Sequence, residues 1–399
     1  MPGVNVPDGT DVTIIGGGIM GAATAYFLAA ESDRDVLLLE KDQIASGSTG
    51  DSSAIIRHHY GDKEVYSKTA RWSHEFYREF DAELGESIAY EPNPMVRYGG
   101  QGDEASQAFA MSGYDTLEAM DIPVSRLERE ELEERYPMLD FDGIEFGVSD
   151  DDAAYSDGTD VAGGFARAAQ NEGATVVTGV AVEDIVVEDG AVAAVETDAK
   201  TVATDDVVVT AGPWTPRLLS QVGVEVPIET TREQILILDP PEDFVSAYPD
   251  LVPSGGPPGE GWYMRPDFGE GVLVATHHRG ETVDPDAYSD NPDQDAILRM
   301  VDDLDDFVPD LAAADIKGQY CGIYSSTPDH DFVIDQVGPD GCYTGCGFSG
   351  HGFKHGPAVG KLLRDLVVDG DTDLVDVEYF SLDRFEDNPE GYAGEVERI

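Results

Sequence analysis

The chain has 399 residues, 41% of them hydrophobic, enough for a large core and for two domains, which excludes a disordered polymer. Asp and Glu number 81 against 24 Lys and Arg, a formal net charge of −57. That field excludes nucleic acid and anionic membranes as partners; its spread along the chain (Glu130-Glu131, Asp150-Asp151-Asp152, Asp302-Asp303, Asp305-Asp306) describes a solvated, halophilic shell suited to multimolar salt, not a binding arm.

Residues 1–8 carry no basic region and no apolar run, so they are not a secretory signal. No stretch approaches the ~20 apolar residues that span a bilayer, and a cytoplasmic protein without a membrane span is expected. Val12-Thr13-Ile14-Ile15 reads as a strand. It meets the G-x-G-x-x-G turn Gly16-Gly17-Gly18-Ile19-Met20-Gly21 and opens into a helix over 22–28. Gly16 permits the sharp turn, Gly18 a close approach to a pyrophosphate, and Gly21 tight packing of helix on strand. The helix N-terminus offers free N–H groups and positive potential to phosphates. A second strand, 35–40, ends at Glu40, 24 residues after Gly16, where a carboxylate grips a ribose hydroxyl pair. An acid there, followed by Lys41, disfavours a 2′-phosphate and leaves NAD or FAD.

Next comes a small-residue loop, 45–53, with Ser46, Gly47, Ser48, Thr49, Ser52 and Ser53, which can lie flat against a cofactor. The segment 54–60 follows with one strong cation, Arg57, and His58-His59 beside it; strand alternation sends those two imidazoles to opposite faces, so at least one is structural. Residues 64–84 read as one amphipathic helix. From 88 to 147 the pattern changes to short strands such as Val96-Arg97-Tyr98 and acidic helices at 104–120 and 129–135, an excursion into another domain. A helix over 161–169 and a strand over 174–177 precede two strands, 180–187 and 191–197, around the turn Glu188-Asp189-Gly190. A buried parallel-type strand over 206–209 ends at Ala211-Gly212-Pro213-Trp214, where backbone again comes close to the cofactor. Residues 223–317 form a second excursion, with strands at 232–238 and 271–277, a helix at 293–306, and a Pro/Gly-rich surface loop over 253–261 that serves as a lid. The last run, 341–354, leads into a helix over 355–368. Cys321, Cys342 and Cys346 build no disulfide framework, no Cys/His spacing reads as a metal site, and Cys342 and Cys346 read as small buried strand residues.

The opening fingerprint, the 47–57 loop ending in Ile55-Ile56-Arg57, Val209-Thr210-Ala211-Gly212-Pro213-Trp214, Tyr324-Ser325-Ser326-Thr327-Pro328-Asp329 and Gly347-Phe348-Ser349-Gly350-His351-Gly352-Phe353-Lys354 resemble, in this order, the FAD-dependent amine oxidoreductases of the D-amino-acid-oxidase-like family. Within it the chain is most similar to the sarcosine oxidase and sarcosine dehydrogenase branch, including the β subunit of the heterotetrameric enzyme. The resemblance covers about residues 10–385. It implies an α/β fold: a Rossmann-type, glutathione-reductase-like FAD domain (1–87, 148–222, 318–399) interleaved with a smaller α+β cap (88–147, 223–317) whose antiparallel sheet faces the flavin. The expected cofactor-binding set is Gly16, Gly18, Ile19, Met20, Gly21, Glu40, Lys41, Ser46, Gly47, Ser48, Thr49, Ser52, Ser53, Val182, Ala211, Gly212, Trp214, Gly347, Gly350, His351, Gly352, Phe353 and Lys354. Arg57 and Lys354 match the residues that bind the substrate carboxylate in the family, and Tyr324 and His277 those that line the amine side. The implied reaction removes a hydride from the carbon beside the amine of a small carboxylated amine such as sarcosine, leaving an imine that water hydrolyses.

Three departures bear on the chemistry. Where monomeric oxidases hold the flavin covalently through a cysteine, this chain has Gly322-Ile323-Tyr324, with Cys321 one position early; a one-residue slip turns a strand side chain to the other face, so non-covalent FAD is expected. The lysine those oxidases use to activate oxygen is matched by Leu273. The family's His and Arg ahead of the substrate arginine are matched by Gly50 and Ala54. Oxygen takes its first electron poorly without a nearby cation, so a dehydrogenase passing electrons to another, unidentified acceptor is expected. Proline, glycine, a D-amino acid or a 2-hydroxy acid stay open as substrates, as does a non-catalytic flavin subunit of a larger complex. The acidic shell suits a monomer or a multi-subunit assembly equally.

Overall fold

The computed structural model describes residues 6–248, 252–278 and 280–387. Strand β1 (Gly9–Ile15), helix α1 (Ile19–Glu31) and strand β2 (Val36–Glu40) form the first unit. β1 and β2 pair in parallel, with Val12 against Val36 and Ile15 against Leu39. Thr175–Thr178 extends the sheet in parallel beyond β2, and Thr201–Val209 beyond β1. The N-terminal half of Thr201–Val209 carries the antiparallel hairpin Val182–Glu188 and Ala191–Thr197, and its C-terminal end carries Cys342–Cys346 in parallel. Both faces are covered. Ile14 and Leu38 pack with α1, and with the helices Gly158–Asn171 and Gly356–Val368, in one apolar cluster, whereas Ile15, Leu37 and Leu39 join Val177, Val207 and Val209 in another. Apolar residues at consecutive positions are what a strand buried on both faces requires.

A second, antiparallel sheet is centred on Glu229–Asp239, which pairs with Gly271–Thr276 and, along its whole length, with Asp315–Ser326. Trp262–Asp267 pairs with the far edge of Gly271–Thr276. One face of this sheet packs on the helix Gln294–Phe307 through Met300, Leu304 and Phe307. A small sheet of Met95–Gly100, Ile144–Asp150 and Val124–Glu128 supplies Val96 and Tyr98 to the same cluster. The expected domain boundaries at 148 and 318 fall inside the strands Ile144–Asp150 and Asp315–Ser326.

Two elements differ from expectation. The helix expected over 64–84 divides at Glu79 into Glu64–Arg78 and Phe80–Leu84, and the break sets Phe80 against Phe165, ring centroids 5.0 Å apart. The loop expected over 253–261 is no lid along its first half. Val252 and Ser254 are fully buried, the Ser254 carbonyl accepts from the Val96 N–H at 2.9 Å, and Gly255 exchanges backbone hydrogen bonds with Met264. Pro and Gly here serve a close backbone crossing: a Cβ on Gly255 would meet the Val96 carbonyl at 2.5 Å. Among the described residues no helix is long and apolar enough to cross a membrane.

Candidate active site

A cavity of about 550 Å³ lies at the C-terminal ends of β1 and β2, where open α/β sheets bind ligands. The parallel-sheet side contributes Gly16, Gly18, Ile19, Met20, Glu40, Lys41, Val182, Ala211, Gly212 and Trp214; the loop after β2 contributes Ser46 to Thr49, Ser52 and Ser53. Gly350, Gly352 and Phe353 line it from the last turn, and the antiparallel sheet closes it with Glu233, Ile235, Tyr263, Ala275 and Tyr324.

The residues present fit a dinucleotide. The α1 N-cap is Gly18, which has no side chain to cap the helix, and the first turn holds no acid; the Ile19 N–H donates to the Thr49 hydroxyl at 3.0 Å, and the rest of that turn is suited to phosphate. Gly16 has φ +110° and a Cβ there would meet the Thr210 carbonyl at 2.5 Å; a Cβ on Gly21 would meet the Gly16 carbonyl at 1.9 Å. The cradle therefore depends on these glycines. Glu40 is buried, and its carboxylate accepts from the N–H groups of Gly17 at 2.6 Å and Asp42 at 2.8 Å, which fixes it at the end of β2. Ser48 Oγ is enclosed and without a hydrogen-bond partner, an acceptor and donor that a bound ligand would satisfy. At the rim, Lys41 lies 3.4 Å from the Trp214 ring centroid, and Trp214 Nε1 donates to Asp286 at 2.7 Å.

Gly21, Arg57, His277, Gly347, His351 and Lys354 are not on the cavity wall. Gly21 acts through helix packing. Gly347 adopts φ +68° and a Cβ there would meet Thr327 at 2.5 Å, so it sets the turn and leaves contact to its neighbours. The His351 ring turns away, bonding the His330 carbonyl at 3.1 Å and packing on Phe332 at 4.7 Å. Tyr324 does face the cavity, and His277 lies against it, off the wall. His277 Nδ1 is 3.3 Å from the Tyr324 hydroxyl, and the Tyr324 ring covers Gly350 so closely that a Cβ there would meet it at 2.3 Å. Lys354, in the same turn, donates to the His351 carbonyl at 3.1 Å. Arg57 donates to the His59 carbonyl and lies 4.1 Å over the Tyr60 ring, whose hydroxyl is 2.7 Å from His355 Nε2.

Arg57 and Lys354 are 4% and 6% exposed, and among the described residues neither has a carboxylate within ion-pair distance. Burial, then the charges of Arg57 and Arg97, hold the Lys354 amine well below its usual pKa. Burial, followed by His278, Arg97, Arg57 and Lys354, pushes His277 well down, so it is neutral near pH 7, and burial pushes the Tyr324 phenol well up, so it keeps its proton. A buried cation without a counter-charge is costly, and a bound anion would offset that cost.

Both histidines after Arg57 are interior. His58 Nδ1 meets Asp150 at 3.1 Å and its Nε2 lies 2.8 Å from His74 Nδ1, while His59 bonds the Ala110 carbonyl and packs on Phe109. Sequence reading missed Glu233, Ile235 and Tyr263 on the wall and Arg97 behind it. The signal for Arg97 was a lone cation between two apolar strand residues, Val96 and Tyr98. Cys321 is buried and off the wall while Gly322 is on it, as the one-residue slip requires, and Cys342 and Cys346 are fully buried.

The family model described as "FAD dependent oxidoreductase" matches residues 11–366. The chain is 29% identical over 388 residues to monomeric sarcosine oxidase of Bacillus sp. (strain NS-129), covering 94% of this chain and 96% of that protein. It is 30% identical over 373 residues to peroxisomal sarcosine oxidase of Mus musculus, covering 89% and 91%. Among solved structures, L-proline dehydrogenase from P. horikoshii superposes with a TM-score of 0.86 at 25% identity, covering 96% and 99%. Glycine oxidase from Geobacillus kaustophilus shares the fold at a TM-score of 0.82 and 22% identity, covering 94% and 99%.

Proposed function

The chain belongs to the FAD dependent oxidoreductases, and from that premise we propose that it oxidises a small secondary or tertiary amino acid, such as sarcosine, at the carbon beside the amine. The observation that carries this reading is the buried pair Arg57 and Lys354, free of carboxylate partners among the described residues, with Lys354 directly after Phe353 on the wall of a dinucleotide cavity. A silent flavin-binding subunit has no use for such a pair.

The glycine turn, Glu40 and the 46–53 loop would hold FAD without a covalent bond, and the bound group would supply the two-electron acceptor. The guanidinium and ammonium hold the substrate carboxylate, which fixes the position of the adjacent C–H bond. The same cations disfavour an ammonium nearby and so lower the pKa of the substrate amine. That matters because the neutral amine releases hydride and the protonated one does not. Tyr324, protonated, offers the amine its hydroxyl without adding charge, and His277, neutral and 3.3 Å from that hydroxyl, orients it. Tyr263, whose hydroxyl donates to Ser53 Oγ at 2.9 Å, holds the antiparallel sheet against the cofactor loop.

We read the enzyme as a dehydrogenase. Leu273, 1% exposed, clusters with Ile235 and Ala275 on the sheet face that meets the cavity. Arg265 on the next strand is its cross-strand partner, but Asp267 at 3.0 Å compensates that charge and its Nε donates to the Ser53 carbonyl at 2.6 Å. Bleaching of the flavin under anaerobic conditions by N-methylglycine, L-proline, glycine, a D-amino acid and a 2-hydroxy acid in parallel identifies the substrate. The first is expected to bleach fastest, with slow reoxidation in air; rapid reoxidation yielding peroxide contradicts the dehydrogenase reading. The acidic surface supports a cytoplasm of high salt as its place of work.

A further inference from the structure

Arg97 is not explained by any of this. It sits in Met95–Gly100, paired with Val148 of the neighbouring strand, and between Val96 and Tyr98, which turn into the apolar core. Strand alternation turns its side chain the other way. The guanidinium lies 5.8 Å from the Phe109 ring centroid, and Phe109 also packs on the imidazole of His59 at 5.2 Å. It is close enough to Arg57, Lys354, His277 and Tyr60 to act on the titration of each or be acted on by it. Its Nε is fully enclosed and has no hydrogen-bond partner, and no carboxylate among the described residues is within ion-pair distance of it.

That absence is informative in a chain with 81 acids. Five other arginines of this half of the molecule are paired, Arg126 with Glu128, Arg129 with Glu133, Arg135 with Asp151, Arg232 with Asp293 and Arg265 with Asp267, whereas Arg299, which like Arg97 has no ion pair among the described residues, is exposed to water. Arg57 and Arg97 bring two guanidinium groups to act on Lys354, whose amine is held well below its usual pKa. One substrate carboxylate compensates one guanidinium; a second acidic group would compensate the other.

We propose that Arg97 is a specificity-determining residue that binds a second anionic group, so that the preferred substrate is an amino acid with two carboxylates. The inference rests on the reading of Arg57 and Lys354 as the anchor of the first carboxylate. The second group sits either on the α-carbon side chain or on the nitrogen substituent, and the guanidinium fork takes a carboxylate in both cases.

The test uses the FAD-loaded full chain in high salt. Perturbation of the flavin spectrum gives the affinity for acetate and for succinate without turnover. Anaerobic reduction then compares N-methylglycine with N-methylaspartate (carboxylate on the side chain) and N-(carboxymethyl)glycine (carboxylate on nitrogen). The wild-type chain is expected to favour succinate over acetate, and one of the two dicarboxylic amines over N-methylglycine, by about tenfold or more. Arg97→Leu is expected to erase that preference, so that succinate and acetate, and the dicarboxylic amine and N-methylglycine, become equivalent to within about threefold, and Arg97→Lys to restore part of it. Equal affinity for acetate and succinate in the wild-type chain overturns the proposal with no variant needed. So does an unchanged preference in Arg97→Leu. Arg57→Met separates the two readings: if it leaves acetate binding intact, the anchor itself is misread, whereas loss of acetate binding with no dianion preference sinks only the role of Arg97.

Discussion

His277 Nδ1 and the Tyr324 hydroxyl stand 3.3 Å apart, and of the two only Tyr324 reaches the cavity wall. On the proposed reading the phenol is therefore the group that meets the substrate amine, and the imidazole positions it. Tyr324→Phe is expected to retain FAD and to lower the rate of anaerobic flavin reduction by about 100-fold, with a smaller change in substrate affinity. Stopped-flow absorbance separates the two; an unaltered reduction rate removes the hydroxyl from the chemistry.

Carboxylate binding is expected to be coupled to proton uptake. In the free enzyme burial and the neighbouring Arg57 and Arg97 hold Lys354 well below its usual pKa; a bound carboxylate raises it again. Affinity for acetate is then highest at low pH and weakens as pH rises through the free-enzyme value, by up to about tenfold per pH unit. Lys354→Met should flatten that profile, which spectral titration across pH 6 to 10 would record.

Gly21→Ala places a methyl 1.9 Å from the Gly16 carbonyl, where neither backbone can retreat without opening the turn. A cost of about 1–3 kcal/mol and loss of bound FAD are expected. Gly163→Ala is the control. Its methyl would meet only the end of the Arg167 side chain at 3.0 Å, in a helix interior where alanine gains up to about 1 kcal/mol over glycine. Denaturation midpoints and the ratio of flavin to protein absorbance measure both; equal effects of the two changes would contradict the packing account.

The acidic shell predicts stabilisation by salt. Raising KCl from ~0.1 M to ~1 M shortens the Debye length from about 10 Å to about 3 Å and damps repulsion among the carboxylates. The thermal midpoint should rise steeply over that range. A flat response would mean that the charge is already compensated within the fold.

The dinucleotide half of the site was legible in the sequence because its parts are local: strand, glycine turn, helix and terminal acid follow one another within β1, α1 and β2, and all three formed where expected. The substrate half depends on long-range register. Tyr324 lies in Asp315–Ser326, a strand with little periodic signal that is ordered by pairing along all of Glu229–Asp239. Arg97 comes from a third sheet, and its own segment shows only a lone cation between two apolar strand residues, with no sign of which neighbours it meets. The 253–261 stretch has loop composition yet crosses buried backbone, because proline and glycine mark close approach as readily as exposure. Residues after 387, within the expected flavin-domain segment 318–399, lie outside the described residues.

The central claim is a carboxylate anchor beside a bound flavin. The most direct measurement is an anaerobic titration of the FAD-loaded protein with carboxylated secondary amines, followed at the flavin absorbance, in wild-type and Arg57→Met chains. The account predicts bleaching in the wild type and a loss of about 100-fold or more in affinity or rate in Arg57→Met, with FAD still bound. Identical bleaching in the two chains, or none with any carboxylated amine, would contradict it.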